Sequence, residues 1–220
     1  MAEPKIDSLV DPTFLFRFQV PLAKVALDWS QKGLQLPDKC QLPSFGEMAN
    51  RPVFADVRMG WNKTGIGIQV LVKGKRQMPW CRDTRLDESD GIHVWIDTRC
   101  SPGIHRATQF CHRFLWMPVG GGPRRDRPIA TLVPINRARQ NPKSIPSDGL
   151  KIAAAPKHDG YALSGFISAS ALTGFSPEDQ PRIGLYYAVV DRELGWQTFS
   201  LGPDYPVVED PSLWGEAVLS

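Results

Sequence analysis

One short segment of the sequence places three chemically capable side chains on one face of a predicted strand. Within Gly91–Asp97, positions 92, 94 and 96 are aliphatic, and the alternate positions hold His93, Trp95 and Asp97. Successive side chains of a strand point to opposite faces, so we expect the aliphatic set in the core and the other three on the opposite surface. An exposed indole can stack on a ligand while an imidazole or a carboxylate beside it fixes the orientation of that ligand.

The next alternating segment, 109–116, also has two distinct sides. One side is aromatic and is expected to face the core; it holds Phe110, His112, Phe114 and Trp116. The other side holds Gln109, Cys111, Arg113 and Leu115. Of the seven tryptophans, four are expected to pack in the core or in a hairpin: Trp29, Trp61, Trp116 and Trp214. The remaining three, Trp80, Trp95 and Trp196, are the candidates for ligand stacking.

Metal chemistry is a weaker interpretation of the same residues. Imidazole and thiolate are good zinc and copper ligands, and the sequence offers them at His93, His105, His112 and Cys111. Cys111 and His112 should point to opposite faces of one strand, however, and no spacing matches a metal motif. A haem held by His93 and one of three methionines is a further alternative; the methionines are Met59, Met78 and Met117.

The sequence gives no positive sign of catalysis. Glycoside hydrolysis needs two carboxylates facing a cleft, whereas the candidates Asp90, Asp97, Asp191 and Asp210 stand at predicted strand ends and turns. Aspartates in such places usually cap turns, so we predict a protein that is not an enzyme and has no cofactor, with structural calcium as a minor alternative. Gly120–Gly122 lacks the Lys-Ser/Thr of a phosphate-binding loop.

Composition limits the classes of protein and partner. The 220 residues are 42% hydrophobic and include 20 Pro and 19 Gly, which suits one loop-rich globular domain. A net charge of +3 argues against nucleic acid as a partner, and the basic stretch within 117–149 is interpreted as a solvated loop. The sequence contains no run of about 18 apolar residues, so no membrane-spanning helix is predicted. Met1–Val10 is charged where a secretory signal would be apolar, which predicts a cytoplasmic protein.

Alternating hydrophobic segments predict nine or ten strands without an internal repeat or a βα pattern. They are drawn from eleven candidate segments, which are 14–20, a hairpin at 55–61 and 66–73, the two segments above, and 129–135, 150–155, 160–167, 183–191, 196–201 and 217–219. This spacing predicts an all-β protein, an antiparallel jelly-roll-like β-sandwich with long irregular loops. Residues 1–52 are predicted to be an irregular lead-in with one strand, packed on the sandwich of residues 53–220. Four widely spaced cysteines predict free thiols rather than a disulfide framework.

Three blocks in this order resemble the family-nine carbohydrate-binding modules and the wider DOMON-like sandwich group. They are Ser89–Asp97, Asp159–Pro177 and Ile183–Gly215. The resemblance implies a concave sheet face on which aromatic rings stack against a sugar and polar groups bind its hydroxyls. It implies a ligand site composed of Trp80, His93, Trp95, Gln109, Arg113, Tyr186 and Trp196.

The chain departs from the family pattern at several of these positions. The family's acidic ligand-binding residue falls on His93, and its arginine position falls on Cys111, with Arg113 next on that face. The second stacking tryptophan is replaced in the neighbourhood of Val207 and Val208. The predicted function is noncatalytic carbohydrate binding, and the resemblance also allows an extracellular role. The alternative is a structural or protein-binding sandwich that meets its partner through the apolar side chains of Tyr186, Ala188 and Val190, and a haem or metal-binding sandwich is less favoured.

Overall fold

The computed structural model describes residues 11–220, and almost all of its regular structure is β. Within this range the strands are β1 Gln19–Lys24, β2 Ala55–Asn62, β3 Gly65–Lys73, β4 Gly91–Asp97, β5 Cys111–Gly121, β6 Arg127–Leu132, β7 Leu150–Lys157, β8 Gly160–Ser168, β9 Arg182–Asp191, β10 Gly195–Thr198 and β11 Gly215–Leu219. Short 3₁₀ helices are Pro12–Leu15, Asp38–Cys40, Phe45–Ala49, Leu86–Glu88, Ala169–Ala171 and Pro211–Leu213. No helix in this range is long and apolar enough to cross a membrane.

The strands form two sheets that pack face to face. The first sheet has the order β6-β5-β4-β9, and both β10 and β11 pair with the outer edge of β9. The second sheet has the order β2-β3-β8-β7. Strand β1 joins the two, since Gln19–Leu22 pairs with β11 and Ala23–Lys24 pairs with β2. The all-β sandwich is confirmed, but both pairings of β1 are parallel, so the sheet system is mixed rather than purely antiparallel.

The aromatic side of β5 lies in the core, as predicted. Phe114 and Trp116 are fully buried between the sheets. The Trp116 indole lies against Gly165 of β8, where a Cβ atom would come within 2.6 Å of Nε1. His112 is buried beside them: Nδ1 lies 3.0 Å from the Phe110 carbonyl, and Nε2 accepts a hydrogen bond from the Thr173 amide at 3.0 Å.

The first part of the chain differs from the sequence prediction. Instead of a strand over 14–20, Pro12 begins a 3₁₀ helix capped by Asp11, which accepts a hydrogen bond from the Thr13 amide at 2.9 Å. Strand β1 therefore starts only at Gln19. Further along, Leu34 and Leu36 pack with Phe166 on the outer face of the second sheet. The domain division at residue 52 stays a prediction, and the predicted absence of a signal at Met1–Val10 lies outside the described residues.

Candidate functional site

Four of the predicted site residues meet on the outer face of the first sheet. Trp95 on β4 pairs with Arg113 on β5 and with Tyr186 on β9, and His93 stands two residues before it on the same face. The Arg113 guanidinium lies 5.0 Å from the Trp95 ring centroid. The imidazole of His93 stacks at 5.5 Å from the Trp95 ring, and Tyr186 meets it edge-on at 5.3 Å. We call these four residues the Trp95 cluster.

The predicted exposure of this face is wrong, because loops cover it. Trp95 and His93 are each 1% exposed, and Tyr186 is fully buried. Asp87, in the 3₁₀ turn before β4, forms an ion pair with Arg113. The Tyr186 hydroxyl donates to the Leu201 carbonyl at 2.7 Å, which holds the chain after β10 over the same face. The covering residues thus come from the loops before β4 and after β10.

The chain after β6 continues along the edge of β5, next to the cluster. The Val133 amide donates to the Arg113 carbonyl at 2.7 Å, and Val133 packs with Leu115 of β5. Leu86 of the loop over residues 81–89, hereafter the 81–89 loop, packs against the same group. Ser89 holds the base of this loop, because its hydroxyl donates to the Arg85 carbonyl at 2.8 Å and is itself fully buried.

Three buried nitrogen atoms of the Trp95 cluster lack a hydrogen-bond partner. They are His93 Nε2, Trp95 Nε1 and Arg113 Nε, and in residues 11–220 only the Tyr161 hydroxyl shares this condition among buried side-chain atoms. Arginine can only donate, so the 3.1 Å contact from Arg113 Nη2 makes His93 Nδ1 an acceptor. The neutral imidazole therefore carries its proton on Nε2, and all three unpaired nitrogens are donors.

The electrostatics of the cluster keep His93 neutral. Burial, and then the charge of Arg113, hold the pKa of His93 well below its ordinary value, while the nearby Leu86 carbonyl opposes this shift. Burial also lowers the pKa of Arg113, and the Asp87 carboxylate opposes that change. The guanidinium still carries its charge at neutral pH, because the pKa of arginine starts above about 12. The cluster is thus one fixed positive charge with neutral donors around it.

The other three predicted site residues lie at the two ends of β4. Trp80 is half-buried near Asp90, with the guanidinium of Arg192 at 4.6 Å from its ring. It lines a surface cleft of about 450 Å³. Trp196 is half-buried on β10 opposite Val190, which pairs with Gly91. Gln109 lies in the turn before β5, at the opposite end. The structure therefore brings four predicted residues together and leaves three outside the cluster.

The apolar face proposed for a protein partner is also covered. Tyr186, Ala188 and Val190 are 0%, 0% and 3% exposed, because the loops described above and the short strand β10 pack around them. The expectation that these three side chains offer a free docking surface is therefore wrong.

The aspartates at strand ends act as predicted, by accepting hydrogen bonds from backbone amides. Asp97 accepts from Ser101, and Asp191 accepts from Leu194. Sequence reasoning missed Lys75, whose buried ammonium lies 3.0 Å from Asp90 and 2.7 Å from Asp191. An internal cation thus occupies the position between these two carboxylates. Within residues 11–220, no group of three metal-ligating side chains is arranged to hold an ion, and calcium binding stays a prediction.

Solved structures resemble the fold, although the sequence matches no protein-family model and no curated protein. A family-nine carbohydrate-binding module from Caldicellulosiruptor kristjanssonii, in complex with cellotriose, is 12% identical with a TM-score of 0.56, covering 93% of this chain and 94% of that chain. A family-nine module from the same organism, in complex with glucose, is 12% identical with a TM-score of 0.57, and the match covers 93% of this chain and 96% of that chain. The chain has the fold of a family-nine carbohydrate-binding module. A third structure, from Bacteroides uniformis, gives a TM-score of 0.51 at 12% identity over 92% of this chain and 98% of that chain.

The sequence did not predict that the 81–89 loop covers the site in this family-nine fold. Asp87 and Leu86 belong to the charged stretch between Trp80 and β4, and only the length and charge of that stretch mark it as unusual. The membership of the wider DOMON-like group stays a prediction.

Proposed function

We propose that this domain binds a carbohydrate at the Trp95 cluster and catalyses no reaction. The observation that carries the proposal is the set of three buried N–H donors around one indole, none of which forms a hydrogen bond within the protein. A buried donor without a partner costs about 1–3 kcal/mol, and most native proteins avoid this cost. Oxygen atoms of a bound saccharide would supply the missing acceptors while its apolar ring face packs on the indole.

The solved relatives support the same class of ligand. The modules from Caldicellulosiruptor kristjanssonii that share this fold were solved with cellotriose and with glucose. The residues of this chain that lie together on the sheet face are four of the seven that the resemblance implies for a sugar site, namely His93, Trp95, Arg113 and Tyr186.

A ligand reaches the cluster by displacing residues 83–88, the outward part of the 81–89 loop. The Asp87 side chain is 69% exposed, so water competes with Arg113 for its carboxylate. The ion pair therefore contributes little to keeping the loop closed. The outward residues of this loop, from Asp83 to Arg85, are exposed as well. Moving residues 83–88 therefore costs the packing of Leu86 and the hydrogen bond from Ser89 to the Arg85 carbonyl, while the buried residues Cys81 and Ser89 keep the two ends of the loop in place.

Calorimetric titration of a panel of neutral and charged oligosaccharides tests the proposal. Trp95→Phe keeps an aromatic ring but removes the Nε1 donor, so we expect it to weaken binding about tenfold, in line with a hydrogen bond in a buried site. Trp196→Phe is the matched control, because Trp196 lies outside the cluster, and it should bind as the wild type does. Equal binding by wild type and Trp95→Phe, or no binding of any saccharide, contradicts the proposal.

The alternative function, a sandwich that binds a protein partner, needs a surface other than the one predicted. The residues expected to form it are buried. Solution mass together with the saccharide titration separates the two functions, since a partner-binding sandwich would ignore every saccharide.

A further inference from the structure

The unpaired atoms of the Trp95 cluster are all donors, and this restricts the chemistry of a fitting ligand. Trp95 Nε1 and Arg113 Nε can only donate, and the contact with Arg113 Nη2 leaves the proton of His93 on Nε2. A sugar hydroxyl accepts a hydrogen bond but must also donate one. A carboxylate only accepts, and its two oxygens have about four lone-pair sites. The cluster therefore complements a carboxylate better than a hydroxyl.

Arg113 adds a charge and a suitable geometry. The Nε and Nη2 atoms of a guanidinium form one edge that can bind both oxygens of a carboxylate. In this structure Nη2 contacts Asp87 and His93, whereas Nε has no partner. Only one of the two nitrogens on this edge therefore has a partner, and the carboxylate bound there belongs to Asp87, a loop residue that is largely exposed.

We propose that the Trp95 cluster recognises the carboxylate of an acidic saccharide, a uronic acid residue, and that Asp87 occupies the place of this carboxylate in the free protein. The inference rests on the proposed function and names its ligand class. On binding, the carboxylate of the saccharide takes both Arg113 Nε and Nη2, and Asp87 moves away with residues 83–88 of the 81–89 loop. The sugar ring then packs against Trp95.

The surroundings of the cluster favour an acidic polymer as well. The chain that pairs with the Arg113 backbone at Val133 continues into Arg137 and Arg139, which are both exposed, and Arg106 donates a hydrogen bond to the Arg137 carbonyl at 2.8 Å. Over residues 124–143 there are six basic residues against one acidic residue. Such a local excess raises the concentration of a polyanion at the surface and makes its binding sensitive to salt.

Calorimetric titration with matched neutral and acidic sugars tests the inference. The pairs are glucose with glucuronate and galactose with galacturonate, together with short galacturonate oligomers and cellotriose. We expect the wild type to prefer the acidic member about tenfold or more, as a charge-assisted hydrogen bond implies. Added salt should weaken the acidic member and leave the neutral member unchanged.

Variants of Asp87 and Arg113 locate the preference. Asp87→Asn removes the internal competitor, so acidic sugars should bind about three- to tenfold tighter, as expected for loss of one partly exposed ion pair. Asp83→Asn changes the loop charge equally and serves as the control, which should bind as the wild type does. Arg113→Gln should abolish the acidic preference, and Arg113→Lys, which keeps the charge but loses the fork, should reduce it.

The possible outcomes separate this inference from the function on which it rests. If neutral and acidic members bind equally in a Trp95-dependent way, the acidic ligand is wrong and carbohydrate binding stands. If Asp87→Asn binds acidic sugars no better than Asp83→Asn, the role of Asp87 is wrong. If neither the wild type nor Asp87→Asn binds any sugar, both proposals are overturned.

Discussion

Replacing the buried Lys75 by Met should lower the free energy of unfolding more than most single substitutions in this protein. The Lys75 ammonium is 2.7 Å from Asp191 and 3.0 Å from Asp90, and all three side chains are at most 2% exposed. Burial disfavours the charged ammonium, but hydrogen bonds to Asp191 and Asp90 outweigh it and raise the pKa of Lys75. Removing one partner of a buried ion pair leaves an uncompensated charge and typically costs about 3–5 kcal/mol. For a domain of this size, that loss lowers Tm by roughly 6–20 °C.

Urea and thermal unfolding of Lys75→Met measure this loss, with Lys73→Met as the control because Lys73 is exposed at the end of β3. The control should stay within about 0.5 kcal/mol of the wild type. The Lys75→Met protein should recover stability as pH falls through the pKa of Asp90, because burial and the charge of Asp191 already raise that pKa and loss of the ammonium raises it further. A loss below about 1 kcal/mol, or no recovery in acid, would refute the view that the ammonium compensates these carboxylates.

Two further changes test the core. Burial lowers the pKa of His112 to about 4 from 6.5, so its contribution is complete above pH 6.5 and is lost as pH falls towards 4, a change of about 3 kcal/mol. Unfolding curves at several pH values should show a shallower slope for His112→Asn than for the wild type, whereas exposed His158→Asn should keep the wild-type slope. Gly165→Ala places a methyl group 2.6 Å from the Trp116 indole and should destabilise by about 1–3 kcal/mol, with partial recovery when Trp116→Phe is added; full stability of the single variant would contradict the packing described.

Local alternation was enough to predict strands and their inward faces, since it depends only on neighbouring residues. The core position of Phe114 and Trp116 followed from the period of two in β5, as did the inward aliphatic face of β4. Alternation placed His93 on the same face as Trp95, whereas Arg113 and Tyr186 lie on other strands and were grouped with them by the family resemblance. The predicted strand at 14–20 failed where Pro12 starts a 3₁₀ helix instead.

Coverage of the site could not be predicted in the same way. Asp87 and Arg113 are 26 residues apart in the sequence. The Tyr186 hydroxyl bonds to the carbonyl of Leu201, which belongs to a loop without a regular sequence pattern. The ion pair of Lys75 with Asp191 spans 116 residues. Such contacts depend on the finished fold, so the sequence-based site includes the four residues of the Trp95 cluster together with three that lie elsewhere, and it predicts neither the burial of the cluster nor the compensating lysine.

The parallel pairing of β1 with β11 has a consequence for how the chain folds. Gln19 lies opposite Glu216 in this pair and donates a side-chain hydrogen bond to it at 2.7 Å. The two residues are 197 positions apart in the sequence. Strand β1 is also the bridge between the two sheets, so the sandwich lacks this connection until β11 has been synthesised. Pairing over such a separation is slow, because the entropy of closing a long loop must be lost before the contact forms. During translation, β1 must therefore wait for its partner until nearly the whole domain has left the ribosome.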